Sequence, residues 1–315
     1  MKIREFRLAD LSIMEAWLAQ DYIQKFCGDP QDWIKEISEN ISADWVKYFI
    51  VECDTPIGFL QYYETDRAPQ GEWSNEPIGT VGIDYLIGDV EFLGKGFGSK
   101  IVRLLVDCIK SKNEYDYIIA DPIVENVASI IVLENNGFKQ NSNGLFCLDL
   151  NNTGIKIYRA SQQDVGVITQ LFRDTIQNVN SKDYPADEID DWSSWWTDHD
   201  KWQARIKEQY FIKAMIEDNT VGFSSLATDG YLDFMFTHKD YQKQGIAGNL
   251  LRKIERKAKE QGNDLIYSDV SITAKRFFES HGYIVEKQQL KKSKNKELIN
   301  FRMTKRINGS ALHRV

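Results

Sequence analysis

The chain nearly repeats itself, and this repeat constrains the fold more than any other feature. Two glycine-bearing loops, "EFLGKGFGSKIVRLL" (91–105) and "YQKQGIAGNLLRKI" (241–254), each run into an amphipathic stretch. Their flanks match as well. "IREFRLADLSIMEAWL" (3–18) is echoed by "IKIYRASQQDVGVITQLF" (155–172): a short strand, a polar turn, then apolar residues at three-to-four spacing. "YFIVECDTPIGFLQYY" (48–63) is echoed by "YFIKAMIEDNTVGFSSL" (210–226), a hairpin in each case. After each loop come a helix, an apolar strand ("YDYIIAD", "NDLIYSD"), another helix and a closing "NNGF" or "SHGY".

A repeat of this length decides the fold class. Hairpin-linked strands come first and strands alternating with helices follow. The expectation is α+β: two tandem domains, each a mixed, mostly antiparallel sheet flanked by helices. The polar cluster "DLNNTGIK" (149–156) marks the boundary, giving domains 1–152 and 153–307 and a tail 308–315. Whether the halves form an intramolecular pseudo-dimer is left open.

Charge is spread unevenly. Residues 1–152 hold 13 Lys and Arg against 25 Asp and Glu, a net −12; residues 153–315 hold 26 against 22, a net +4. An acidic half attracts cations and repels nucleic acid, although solubility alone also explains such a balance. The basic run "LKKSKNKE" (290–297) lacks interleaved aromatics and reads as a solvated turn. No apolar run is long enough to span a membrane. The start "MKIREFRLAD" lacks a signal-peptide core, and Cys27, Cys53, Cys108 and Cys147 show no metal-ligand spacing. These features point to a cytoplasmic protein with free thiols and no bound metal.

Each loop lies between an expected strand and an expected helix. N–H groups at a helix start favour an anion, and glycine lets a backbone approach one closely. The spacing in "LGKGFGSK" is neither GxxxxGK[ST] nor GxGxxG. "QKQGIA" (242–247) fits [QR]xxGx[GA], and "LGKGFG" (93–98) fits with Leu93 in the first slot. On these motifs both halves resemble the GCN5-related N-acetyltransferases, whose loop cradles the pyrophosphate of coenzyme A. The resemblance implies acetyl-CoA as co-substrate, held through Gly94, Lys95, Gly96, Phe97, Gly98 and Ser99, and through Gln242, Lys243, Gln244, Gly245, Ile246, Ala247 and Gly248. Asn126 matches the family's pantetheine-contacting Asn, or caps a helix.

The first half resembles the aminoglycoside 6′-N-acetyltransferases more narrowly. "GIDYLIGDVEFLGKGFGSK" (82–100) follows their GxDxxxG…LGKGxG pattern, and "ADPIVEN" (120–126) resembles their DPxxxN. The implied acceptor is a small cationic amine. Asp84 falls on the catalytic Asp, and Asp233 stands the same 12 residues before Gly245 as Asp84 does before Gly96. Asp121, Glu72, Glu76 and Trp73 are the implied acceptor-binding residues. Each also has a plain reading: Asp121 as a helix cap, Glu72 and Glu76 as solvated surface, Trp73 as packing. The second half resembles a stand-alone bacterial group of undefined acceptor, through Tyr184, Ile189, Trp192, "LDFMFTHKDYQKQGI" (232–246) and "NFRM" (300–303).

Two departures stand out. The tyrosine that the family places before E-x-x-G-F, thought to protonate the leaving thiolate, is replaced by Leu133 and by Phe278. One half, more readily the second, is open to being a CoA-binding or architectural partner. The tryptophans of "DWSSWWTDHDKW" (191–202) read as one helical face, for packing or as a lid. His238 and His281 are read as structural.

Overall fold

The structure, a computed structural model, describes residues 1–69, 73 and 75–307. Glu72 and the tail 308–315 therefore lie outside the described residues. Contacts divide the chain into two units that meet in sequence at Thr153 and Gly154.

The first unit runs β1 (Lys2–Glu5), α1 (Leu11–Leu18), α2 (Asp21–Cys27), α3 (Pro30–Asn40), β2 (Val46–Glu52), β3 (Pro56–Glu64), β4 (Thr80–Ile87), α4 (Phe97–Ser111), β5 (Tyr117–Ala120), α5 (Val127–Asn135), β6 (Lys139–Gln140) and β7 (Phe146–Asp149). Its seven strands form one sheet in the order β1-β2-β3-β4-β5-β7-β6. Only β4 and β5 pair in parallel. Both faces of the central strands are covered, so β2 reads as a nearly continuous apolar run rather than an alternating one. Phe49 and Val51 enter the core beneath α4 and α5, while Val46, Tyr48 and Ile50 pack with α1, α2 and α3.

The second unit repeats this plan with β8 (Ile155–Arg159), α6 (Val165–Asn178), α7 (Ala186–Ser193), α8 (His199–Glu208), β9 (Tyr210–Ile216), β10 (Asn219–Leu226), β11 (Leu232–Thr237), α9 (Ile246–Glu260), β12 (Leu265–Ser271), α10 (Lys275–Ser280), β13 (Ile284–Lys292) and β14 (Glu297–Arg306). Here the sheet is broken into β11-β10-β9-β8 and β12-β14-β13. A single parallel bridge, Tyr231 with Tyr267, joins the two parts. The order β12-β14-β13 reproduces β5-β7-β6 of the first unit, so the sequence repeat is a repeat of topology.

The tryptophan segment departs from expectation. It is not one helix: Trp192 closes α7, Trp195 and Trp196 lie on a 3-10 turn (Ser194–Thr197), and Trp202 lies on α8. Trp202 donates its Nε1–H to the Trp195 carbonyl (3.0 Å) and stacks on Phe234 at 4.8 Å between centroids. Seven-residue spacing cannot reveal a break in a helix when both sides bury the same kind of ring.

Candidate functional site

The two loops share a backbone signature. A 3-10 turn follows the preceding strand, Val90–Phe92 after β4 and Lys239–Tyr241 after β11. Two residues with positive φ, spaced two apart, then feed the helix: Gly94 (68°) and Gly96 (77°) before α4, Lys243 (62°) and Gly245 (81°) before α9. A Cβ on Gly94 or Gly96 would meet nothing within 4 Å, so backbone conformation rather than crowding calls for glycine there. Crowding acts instead at Gly98, whose Cβ would lie 2.8 Å from Val132 of α5. Neither α4 nor α9 receives a side-chain cap. Their leading N–H groups stay available to an anion, at the positive end of each helix dipole.

The other expected loop residues divide by role. Gln242 braces its loop, donating from Nε2 to the carbonyls of Thr237 (2.7 Å) and His238 (3.2 Å). Leu93 fills that slot in the first unit and has no such donor. Phe97 packs edge-on against Phe92 at 4.8 Å, and Ile246 is buried, so the side chains of both serve the core. Lys95 sits 3.9 Å from Glu91, and the Ser99 carbonyl accepts from Asn136 (3.2 Å). Gln244 is exposed. His238 accepts the Asp240 N–H at 3.2 Å and caps its turn.

Beside each loop the sheet opens. β4 pairs with β5 only from Thr80 to Gly82, and past that point the two strands separate. In the second unit, among the described residues, one backbone bridge (Tyr231–Tyr267) and the Ser268 Oγ–H bond to the Leu232 carbonyl at 2.7 Å tie β11 to β12. Backbone groups of Ile83–Ile87 that point away from β3 thus have no strand beside them. Such groups are bound by side chains, as Tyr22 Oη donates to the Ile87 carbonyl at 3.1 Å, by water or by a ligand. Asn126 caps α5, accepting the Ser129 N–H at 3.1 Å through Oδ1. The cap of α5 is therefore Asn126 and not Asp121.

Asp84 stands on β4 where the strands part. Gln61, its cross-strand partner on β3, donates Nε2–H to Oδ2 at 2.8 Å. Burial raises the carboxyl pKa; Gln61 opposes the shift and the negative charge of Asp121 adds to it. Glu36 of α3 is raised too, by burial and then by Asp84. Burial, with Asp84 adding, pushes the Cys27 thiol up to about 11. The sequence thus placed Asp84 and Asp121 within electrostatic reach of one another, but it missed Glu36. No pattern marked Glu36, a helical glutamate that only the packing of α3 brings near Asp84.

An aromatic wall stands over these carboxylates. The Tyr63 ring lies across Gly82, where a Cβ would sit 2.3 Å from it, and Trp73 packs at a tilt against Tyr63, 5.6 Å between centroids. Gly88 likewise gives way to the ring of Trp17, 2.0 Å from an added Cβ. Both glycines of the GxDxxxG stretch therefore exist to seat aromatic rings. Tyr48 Oη, Gln61 Oε1 and Trp73 Nε1 are buried without hydrogen-bond partners among the described residues. Orphaned polar atoms around a carboxylate pair are what an absent polar ligand leaves behind. Glu76 is half-buried on the turn that Trp73 opens, its N–H donating to the Trp73 carbonyl at 3.1 Å.

The second unit places its residues differently. A cavity of about 810 Å³ is lined by Gln242, Lys243 and Gly245–Gly248, together with Trp192, Trp195 and Trp202. Asp233 lines it as well, but at a bulge in the β10–β11 ladder and not opposite a glutamine. Arg205 and Gln209 both donate to its Oδ2. Asp233 is thus a paired carboxylate, unlike Asp84, and equal spacing to the loop glycine does not give the two equal surroundings. The run at 290–297 is also more than a solvated turn, because Lys291, Lys292 and Ser293 line the cavity. Leu133 and Phe278 are core residues in their units. Among the described residues no helix is long and apolar enough to cross a membrane, and no group of acidic, His or Cys side chains is arranged to hold a metal ion.

A splayed sheet with an uncapped helix start at the splay defines an acyltransferase scaffold, present twice. Residues 7–145 match one model described as an acetyltransferase (GNAT) domain, and residues 180–305 match a second of the same description. The chain is 28% identical over 154 residues to the uncharacterised N-acetyltransferase YafP of Escherichia coli K12, covering 49% of this chain and 96% of the relative. It is 29% identical over 140 residues to aminoglycoside N(6′)-acetyltransferase type 1 of Klebsiella pneumoniae, covering 42% and 70%. It is 36% identical over 73 residues to a kanamycin resistance protein of Rhizobium radiobacter, covering 22% and 68%. The chain belongs to the GCN5-related N-acetyltransferase family, with two acetyltransferase domains in tandem, and its first half is similar to the aminoglycoside 6′-N-acetyltransferases.

Proposed function

We propose that the first domain transfers the acetyl group of acetyl-CoA to a primary amine of a small polycationic substrate, the 6′-amine of an aminoglycoside, by direct transfer with both substrates bound. The observation that carries this reading is the meeting of Asp84, Asp121 and Glu36 beneath the Tyr63–Trp73 wall, with unpartnered polar atoms around them. Three carboxylates close together in a −12 domain favour a polycation by charge-assisted hydrogen bonds. The relatives named for aminoglycosides and kanamycin support the same acceptor.

Acetyl-CoA, when bound, supplies an activated acyl group; the N–H groups at the α4 start and the open edge of β4 are the groups suited to hold it. Asp84 anchors the ammonium and takes its proton. An ordinary carboxylate is a weak base for an alkylamine near 10.4, and burial narrows that gap by raising Asp84. Asp121 and Glu36 hold further amines, and Tyr63 and Trp73 present flat faces to the sugar rings. Leu133 has no proton to give a departing thiolate, which leaves unassisted because a thiol is acidic enough. Holding both substrates together contributes the remainder.

The test is thiol release from acetyl-CoA with a kanamycin-type substrate. The expected result is turnover with product modified at the 6′-amine. No turnover with kanamycin but turnover with spermidine would move the acceptor to polyamines.

Gln61 gives a second, finer prediction. Its amide stabilises the charged form of Asp84. Gln61→Leu removes that donor, so Asp84 ionises at higher pH. The acidic limb of the kcat/KM profile is expected to move to higher pH, with activity near pH 8 reduced far less than activity near pH 6. An unmoved limb would remove Asp84 from the pH profile.

A further inference from the structure

The second domain's cavity differs in charge and shape from the carboxylate site of the first. Away from its loop it is lined by four cations, Lys201, Arg205, Lys291 and Lys292, against two carboxylates, Asp233 and Asp269. Both carboxylates are already satisfied. Asp233 accepts from Arg205 and Gln209, and Asp269 accepts from Lys291, Arg302 and Gln289. Lys292 is exposed at the rim and, among the described residues, has no carboxylate partner. Part of the remaining wall is aromatic: Trp195 lies under Lys201 at 4.4 Å, and Trp202 stacks on Phe234. Asn300 Oδ1, on a lining residue, is buried and unpartnered.

We propose that the second domain acetylates the amine of an aromatic amino carboxylate, rather than a polycation. The inference rests on the reading that its loop holds acetyl-CoA. Lys201 is paired with Asp198 at 2.7 Å, so Lys292 is the cation, away from the loop and among the described residues, left to meet an anionic group, and a flat body lies among Trp192, Trp195 and Trp202. Because Asp233 and Asp269 are both occupied, the site suits an amine less basic than an alkylamine near 10.4, such as one on a carboxylate-bearing carbon or on an aromatic ring. In the reaction the amine nitrogen bonds to the acetyl carbon as the C–S bond breaks. An ammonium gives up two protons, one ending on the thiolate sulfur and the other in solvent; a neutral arylamine gives up one, which ends on the sulfur. A cavity of this volume suits a small molecule beside the arm of a co-substrate.

The experiment uses the full chain carrying Asp84→Asn, which silences the first site. Tryptophan, tryptophanamide, tryptamine, 4-aminobenzoate and kanamycin are compared by thiol release, and each is titrated calorimetrically into protein saturated with CoA. Tryptophan or 4-aminobenzoate is expected to exceed tryptamine and kanamycin; which of the two leads tells an α-amine from an arylamine. Lys292→Glu, an exposed change, is expected to weaken tryptophan by about tenfold while sparing tryptophanamide, the effect of reversing one charge near an anion. Preference for tryptamine or kanamycin, or a Lys292→Glu variant that binds tryptophan as before, overturns the proposal. If CoA titration finds no site that Gly245→Val removes, the co-substrate reading fails instead, and the acceptor assignment falls with it.

Discussion

Asp84→Asn is expected to lower kcat/KM for the aminoglycoside by roughly 10²–10⁴, the usual contribution of a positioned acid or base, and at the same time to raise the melting temperature. The two effects share one cause. Asp84 is held where burial and Asp121 disfavour its charge, and Gln61 offsets this only in part. In the unfolded chain it ionises near the ordinary 3.9; in the folded chain it ionises higher. As pH rises from the unfolded value to the folded one, the unfolded state binds fewer protons, so stability falls across that window and stays lower above it. Asparagine keeps the shape and removes the charge. Its stabilising effect should therefore be absent below about pH 4, where both forms are neutral, and present at pH 7. Thermal melts at the two pH values, run beside thiol-release assays, measure both quantities. A variant that is less active and also less stable at pH 7 would show that Asp84 holds the strand and is not kept in strain for chemistry.

The repeat made the fold legible, because two strand–turn–helix openings, two hairpins and two loops at matched spacing leave little freedom in topology. The nearness of Asp84 to Asp121 and the place of the loop glycines at the starts of α4 and α9 follow from the same motif spacing. Surroundings were not legible. Asp84 and Asp233 stand at equal distances from their loops, yet a bulge in one ladder and an Arg205 on α8 give them different neighbours. Glu36 carries no local signal, since its nearness to Asp84 depends on how α3 packs over the sheet. The tryptophan segment showed the right residue types with the wrong continuity. Sequence periodicity reports which faces are apolar, not where a helix stops or which ion pairs close across elements.

Gly96→Val and Gly245→Val are expected to abolish coenzyme A binding at one site each. Both residues occupy the left-handed region, at φ 77° and 81°. A β-branched residue is a severe outlier there, and even an ordinary side chain costs about 1–2 kcal/mol. That strain would rotate the leading N–H groups of α4 or α9 away from a common anion. At 1.4 kcal/mol per factor of ten, strain alone weakens binding by roughly five- to thirtyfold, and the lost N–H contacts add to it. Space around Gly96 is open, with nothing within 4 Å of an added Cβ, so the unit should fold and the defect should stay in the loop. Calorimetry with CoA is then expected to show two sites in the wild type and one in each variant. Gly96→Val should also lose aminoglycoside turnover, which Gly245→Val keeps. A single site in the wild type, removed by Gly96→Val and untouched by Gly245→Val, would mean that the second loop has kept the backbone of an anion site without the function. Its left-handed Lys243 and its Gln242 brace would then serve to hold α9 against the sheet.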